Sequence, residues 1–209
     1  MKKPINIPEI RIKYNRLIDP IFIFYCQNNP ELKKSGWNDW VPPQKEGIDR
    51  RVENYKTEWV KYEEKILKGL IEITGLDFKN QIIDVHIVSG NPRQISNPLI
   101  IKSGFLPDEF VDVLTHELLH RLLTINKIKK EIMVSEKYTE ETVATQNHII
   151  VHALLKYIYL DILKDDSRLR KNIEDSKKHS TNEYARAWDI VEKEGYMKLI
   201  NEFKDKLSK

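Results

Sequence analysis

The chain has little that would cross-link, unwind or embed it. Among 209 residues there is one cysteine, Cys26, so no internal disulfide and no cysteine-based zinc site is possible. That scarcity fits a reducing, cytoplasmic compartment. Seven Gly and nine Pro are too few for a collagen-like or low-complexity chain. Charge of one sign is also scarce, with 35 basic against 32 acidic side chains and a formal net charge of +3. A dedicated nucleic-acid binder usually carries a basic excess on one face, so no nucleic-acid partner is expected. Long apolar runs are missing too. Pro20 to Pro30 is uncharged for only eleven residues, and the uncharged stretch Thr142 to Leu155 contains Gln146, Asn147, His148 and His152. Neither approaches the ~20 apolar residues of a spanning helix. Met1 to Ile10 lacks the apolar segment of a signal peptide, so no membrane partner is expected.

What is present suits a folded domain. Hydrophobic residues make up 40% of the chain and charged residues 32%. A chain of this length buries roughly 70% of its surface on folding. A single domain over 1–209 is expected. It would comprise an irregular N-terminal segment (1–44), a core (45–163) and a helical C-terminal extension (164–209). The N-terminal part is punctuated by prolines, and Ile21 to Tyr25 reads as a short buried strand or an apolar anchor. Trp37 and Trp40 are expected to pack from a loop against the following helix.

Periodicity supplies the elements. Tyr55, Trp59, Tyr62, Ile66, Leu70 and Ile73 recur at helical spacing, predicting one long helix over 45–75. Residues 82–89 alternate as a strand, with Ile83, Val85 and Ile87 on one side, and Leu99 to Ile101 is a second strand candidate. A helix starts near Pro107, helped by Asp108 and Glu109 in its first turn, and runs to about Thr124 with Val111, Leu114, Leu118 and Leu122 as its core stripe. The lysines at 127, 129 and 130 mark a solvated turn. Apolar residues on most sides predict a deeply buried helix over 139–163. The segment 165–180 is polar, and two further helices are predicted over 182–194 and 196–207. The fold class is therefore α+β and mostly helical, with a small sheet.

The chemistry is carried by His116-Glu117-Leu118-Leu119-His120. Residues four apart lie on one helical face a turn apart, so both imidazoles can aim at one ion. Glu117 is rotated about 100° from His116, beside the ion rather than on it. Zinc accepts imidazole nitrogens and leaves a position for water. The metal lowers the water's pKa and polarises a carbonyl, while the carboxylate moves the proton. Peptide or amide hydrolysis with Zn2+ and Glu117 as general base follows naturally, on a peptide or protein substrate.

This H-E-x-x-H helix, preceded by two short strands, resembles the zincin clan of metallopeptidases. Arg121-Leu122-Leu123-Thr124-Ile125-Asn126 lacks the metzincin extension, so the resemblance is gluzincin-like. It implies a third ligand, a Glu, from a second helix. Glu141-Thr142-Val143-Ala144 matches the E-x-x-A of such families. His148 competes with Glu141 because an imidazole inside an apolar helix is costly unless bonded or bound, and a His there would depart from the gluzincin pattern. His152, four residues on, suits a residue that orients the ligand; Glu140 and His152 are further candidates for the ligand itself. His86 reads as a satisfied strand histidine and Cys26 as apolar filler. His179, Tyr184 and Arg186 are candidates for an oxyanion contact, with simple helix packing as the rival reading. Two other functions compete with hydrolysis. One is a catalytically inactive zincin-like protein with a structural metal, acting as a binding module. The other is a helical interaction protein without metal.

Overall fold

The computed structural model describes residues 6–133, 136–178 and 181–208. The chain is α+β and mostly helical, with a small mixed sheet of four strands. In chain order the elements begin with β1 (Glu9–Tyr14), α1 (Asp19–Asn28), α2 (Pro30–Leu32) and a kinked turn (Lys33–Trp37) in which Gly36 takes φ +94°. Next come α3 (Lys45–Trp59), α4 (Glu63–Thr74), β2 (Ile82–Val88), β3 (Ile95–Ser96) and β4 (Leu99–Lys102). The last part holds α5 (Pro107–Ile125), α6 (Lys130–Met133), a 3-10 turn (Glu136–Tyr138), α7 (Val143–Tyr157), a π-helical turn (Ile158–Ile162), α8 (Asp166–Lys177), α9 (Glu183–Glu194) and α10 (Tyr196–Leu207). Among the described residues no helix is long and apolar enough to cross a membrane.

The chain divides into two compact units. One, the sheet unit, is Asn6–Glu63 with Asn80–Arg121. The other, the helical unit, contains Glu64–Lys79 and Leu122–Lys209.

In the sheet unit the strand order is β1-β2-β4-β3. β2 lies between parallel partners β1 and β4, and β3 closes an antiparallel edge on β4. The central strand is accordingly apolar, with Ile83, Val85, Ile87 and Val88 buried. β1 alternates: Ile12 is buried while Arg11 and Lys13 form exposed ion pairs with Glu9 and Asp84. Charge on an edge strand discourages pairing with another chain. His86 takes a bond from Asn15 Nδ2 to its Nδ1 at 3.1 Å, as a satisfied strand histidine should.

The carboxyl end of the sheet is fastened by Asp19, which is 2% exposed. Its oxygens accept from the Ser89 backbone N–H (2.6 Å), the Ser89 hydroxyl (2.7 Å) and the Tyr14 hydroxyl (2.5 Å). Burial, reinforced by this carboxylate, pushes the Tyr14 phenol up to about 12. Nearby, the ring of Trp40 covers Gly90 so closely that a Cβ on Gly90 would lie 2.5 Å from it. Trp40 thus packs on the chain just past the end of β2. Tyr55 of α3 stacks on Phe110 of α5 with centroids 4.1 Å apart, and its hydroxyl lies 2.8 Å from the carbonyls of both Ser103 and Phe105.

α5 begins as its sequence suggests. Pro107 opens the first turn, and Glu109 reaches back to accept the Leu106 N–H at 3.0 Å. Phe110, Val111, Leu114 and Leu118 are fully buried and fix its rotation about its own axis.

In the helical unit α7 is buried on most sides, with Ile149, Ile150, Val151, Ala153, Leu154 and Leu155 all in the core. It packs against α9 and α10. The Thr142 hydroxyl caps it by accepting the Thr145 N–H at 3.2 Å.

Three expectations are corrected. The described part of 1–44, residues 6–44, is not irregular: it carries β1, α1, the short α2 and a kinked turn. Ile21 to Tyr25 is neither a strand nor a buried anchor, since it lies in α1 with Ile21 and Phe24 about two-thirds exposed. The helix over 45–75 is two helices, because residues 61 and 62 close onto carbonyls three residues back (Lys61 to Glu58, Tyr62 to Trp59) before α4 begins. Those closures occur without Gly or Pro, so nothing in the pattern marks them. The polar segment after 164 also holds a helix, α8, started by Asp165 accepting the Arg168 N–H, as a helical C-terminal extension allows.

Asp19→Ala would strand Ser89 and Tyr14 donors in the interior, so a loss of roughly 2–5 kcal/mol is expected in urea denaturation. Burial, aided by Lys13 and opposed by Asp84, holds the His86 imidazole below its ordinary value. The unfolded chain therefore takes that proton first as pH falls below about 6.5, and stability present above that pH declines as the medium becomes more acidic. His86→Gln is expected to flatten this part of a stability-against-pH curve.

Candidate metal centre

The His116 and His120 rings project one turn apart from α5, each half-buried. Their Nε2 atoms are 3.0 Å apart and the rings are tilted by 59°. Two nitrogens bound to one tetrahedral zinc at 2.0–2.1 Å would be about 3.3 Å apart. The pair therefore needs to open by only a few tenths of an ångström to share an ion. The same distance is that of a hydrogen bond between two neutral rings, one donating to the other. Either way the two lone-pair directions converge, as the four-residue spacing requires.

Glu117 sits between them in sequence and is 8% exposed. Burial alone pushes its carboxyl up to about 7. Among the described residues no hydrogen bond or ion pair meets its oxygens. A carboxyl that deep without a partner is costly unless a ligand or solvent group fills its lone pairs.

In the helical unit His148 and His152 occupy successive turns of α7, 8% and 1% exposed. The His148 Nδ1 lies 2.7 Å from the Ala144 carbonyl. A carbonyl only accepts, so Nδ1 carries the hydrogen. Fixing the tautomer through a backbone carbonyl is how proteins hold metal-binding imidazoles. Tyr184 of α9 lies against His148 with ring centroids 4.1 Å apart, and Trp188 stacks on His152 at 4.4 Å and 17°. His152 is thus clamped by an indole and packs 5.4 Å from His148.

The acidic candidates are placed differently. Glu140 and Glu141 precede the Thr142 cap rather than forming the first turn of α7. Glu141 accepts from Arg186 Nε (3.0 Å) and Nη2 (2.6 Å). That guanidinium holds the Glu141 carboxyl below the usual carboxylate range. Arg186 is occupied by the same pair, which leaves it a bracing role between the start of α7 and α9. His179 lies outside the described residues. Cys26 is fully buried, and burial raises its thiol, as expected of an apolar filler. Arg121, one turn beyond Glu117, carries no signal in the sequence beyond that spacing. The structure gives it polar partners on the β3–β4 turn.

The arrangement thus brings His116 and His120 together beside a buried carboxyl, and separately brings His148, His152, Tyr184 and Trp188 together. Comparison with protein-family models, curated proteins and solved structures found no match.

Because Glu141 is already engaged, Glu141→Gln is expected to leave metal stoichiometry unchanged. It should cost no more than about 1 kcal/mol of stability, as an exposed ion pair does. Metal titration and thermal melting of the variant check both.

Proposed function

We propose that the chain is a zinc-dependent, metallopeptidase-like hydrolase of peptide or amide bonds, gluzincin-like in the origin of its resemblance. The observation that carries this reading is the His116–His120 pair, 3.0 Å between Nε2 atoms, next to a buried Glu117 carboxyl that no side chain satisfies. His116, His120 and His148 are the proposed ligands, the set the sequence suggests. His148 is preferred to Glu141 because its tautomer is fixed for binding while the Glu141 carboxylate is held by Arg186. His152 supports His148 from the next turn, itself steadied by Trp188.

When bound, the ion supplies Lewis acidity at a substrate carbonyl and acidifies water. Glu117 accepts the proton of the attacking water and returns it to the departing nitrogen. Its burial keeps bulk water from competing for that proton. Three imidazoles leave a fourth position for substrate or solvent, which catalysis requires. The single, buried Cys26 fits a reducing compartment, and cytoplasmic residence is part of the proposal.

A second reading is a closed, structural metal site in a binding module. It is favoured by the proximity of His152 to His148, since a fourth imidazole would leave no room for water. The two readings separate on the Glu117→Gln variant.

Elemental analysis of protein purified without chelators should find one zinc per chain, lost in His116→Ala. Glu117→Gln should keep the zinc and lose about 10²–10⁴-fold of peptide hydrolysis measured on a mixed peptide library. Metal-free wild-type protein would refute the reading, and zinc-loaded protein without any turnover would replace it with the binding module.

A further inference from the structure

Within the helical unit, α7 and α9 meet through two matched pairs of rings. His148 and His152 are one turn apart on α7, and Tyr184 and Trp188 are one turn apart on α9. Tyr184 lies against His148 and Trp188 against His152, at 4.1 Å and 4.4 Å between centroids. The two contacts differ in kind. Tyr184 is tilted by 44° to His148, whereas Trp188 is inclined by only 17° to His152. A stacked indole engages the π face of an imidazole and fixes its plane. The ring nitrogens bond in that plane, so the stack orients them without using them.

Trp188 is itself held in place. It is 1% exposed, and its Nε1 donates to Ser176 Oγ at 3.2 Å. The Ser176 hydroxyl donates in turn to the Asn172 carbonyl, one turn back on α8, at 2.8 Å. A hydroxyl has one hydrogen, and spending it on Asn172 turns the oxygen's lone pairs towards the indole. Ser176 therefore fixes the rotation of Trp188, and Trp188 fixes the plane of His152. An apolar side chain would fill the same space between α7 and α9 with no buried N–H to satisfy. What the indole adds over such a filler is orientation.

We propose that Trp188 is a positioning residue for the metal centre, pinned by Ser176. It sets the plane of His152, which packs 5.4 Å from His148 and so holds the ring of that ligand. The inference rests on the metal centre of the hydrolase reading and names what orients its third ligand.

The test uses the full chain, with zinc affinity measured by chelator competition and ligand geometry read from the visible absorption of the cobalt(II)-loaded protein. Trp188→Leu removes the stacked face, Trp188→Phe keeps it, and Ser176→Ala releases the indole. Trp188→Leu should weaken zinc about 10–100-fold and alter the cobalt spectrum, with one ion still bound at saturation. Trp188→Phe should recover most of the affinity and the spectrum. Ser176→Ala should change the spectrum in the same sense with a smaller loss of affinity, and it decides the matter if Trp188→Leu does not fold. A role in packing alone would lower the melting temperature of the metal-free variants and leave affinity and spectrum at wild-type values. That result overturns the proposal while the metal centre stands. Wild-type protein that takes up neither zinc nor cobalt overturns the metal centre, and the proposal with it.

Discussion

The step of one α-helical turn between His116 and His120 is the constraint from which the candidate site derives. A helix repeats every 3.6 residues, so the side-chain directions of 116, 117, 120 and 121 are set once the helix is fixed about its axis. That fixing comes from Phe110, Val111, Leu114 and Leu118, all buried without remainder. Two imidazoles converge because four residues separate them. The carboxyl of Glu117 and the guanidinium of Arg121 share a neighbouring direction for the same reason. The sheet contributes by position rather than by chemistry: its β3–β4 turn reaches Arg121 and steadies it.

How much of this was legible in sequence depends on whether a signal was periodic or particular. The strands at 82–88 and 99–102, α5, α9 and α10 were readable because apolar spacing and start signals agree there. β1 also carried a period of two, with Ile10, Ile12 and Tyr14 against Glu9, Arg11 and Lys13. Nearby prolines and an edge strand's share of charge hid it. The break at 60–62 was invisible because turns closing three residues back preserve the order of apolar residues on either side. α8 was masked by polarity, although Asp165 as a cap and an Asp166–Arg170 pair one turn apart are helix signals in their own right.

At the site the division is similar. Spacing alone found His116, Glu117 and His120. Spacing could not rank His148 against Glu141, because the difference lies in partners remote in sequence. Arg186, forty-five residues on, occupies Glu141, whereas the Ala144 carbonyl holds the Nδ1 of His148.

The end of β2 unites two fastenings of opposite thermal character. At Gly90 an indole rests on bare backbone, an apolar contact whose driving force fades on cooling. At Ser89, the adjacent residue, the grip of Asp19 is ionic and directional and does not depend on that force. Chilling should therefore loosen the tryptophan loop before it disturbs the strand, so the two neighbours would part company at low temperature although they stand side by side in the chain.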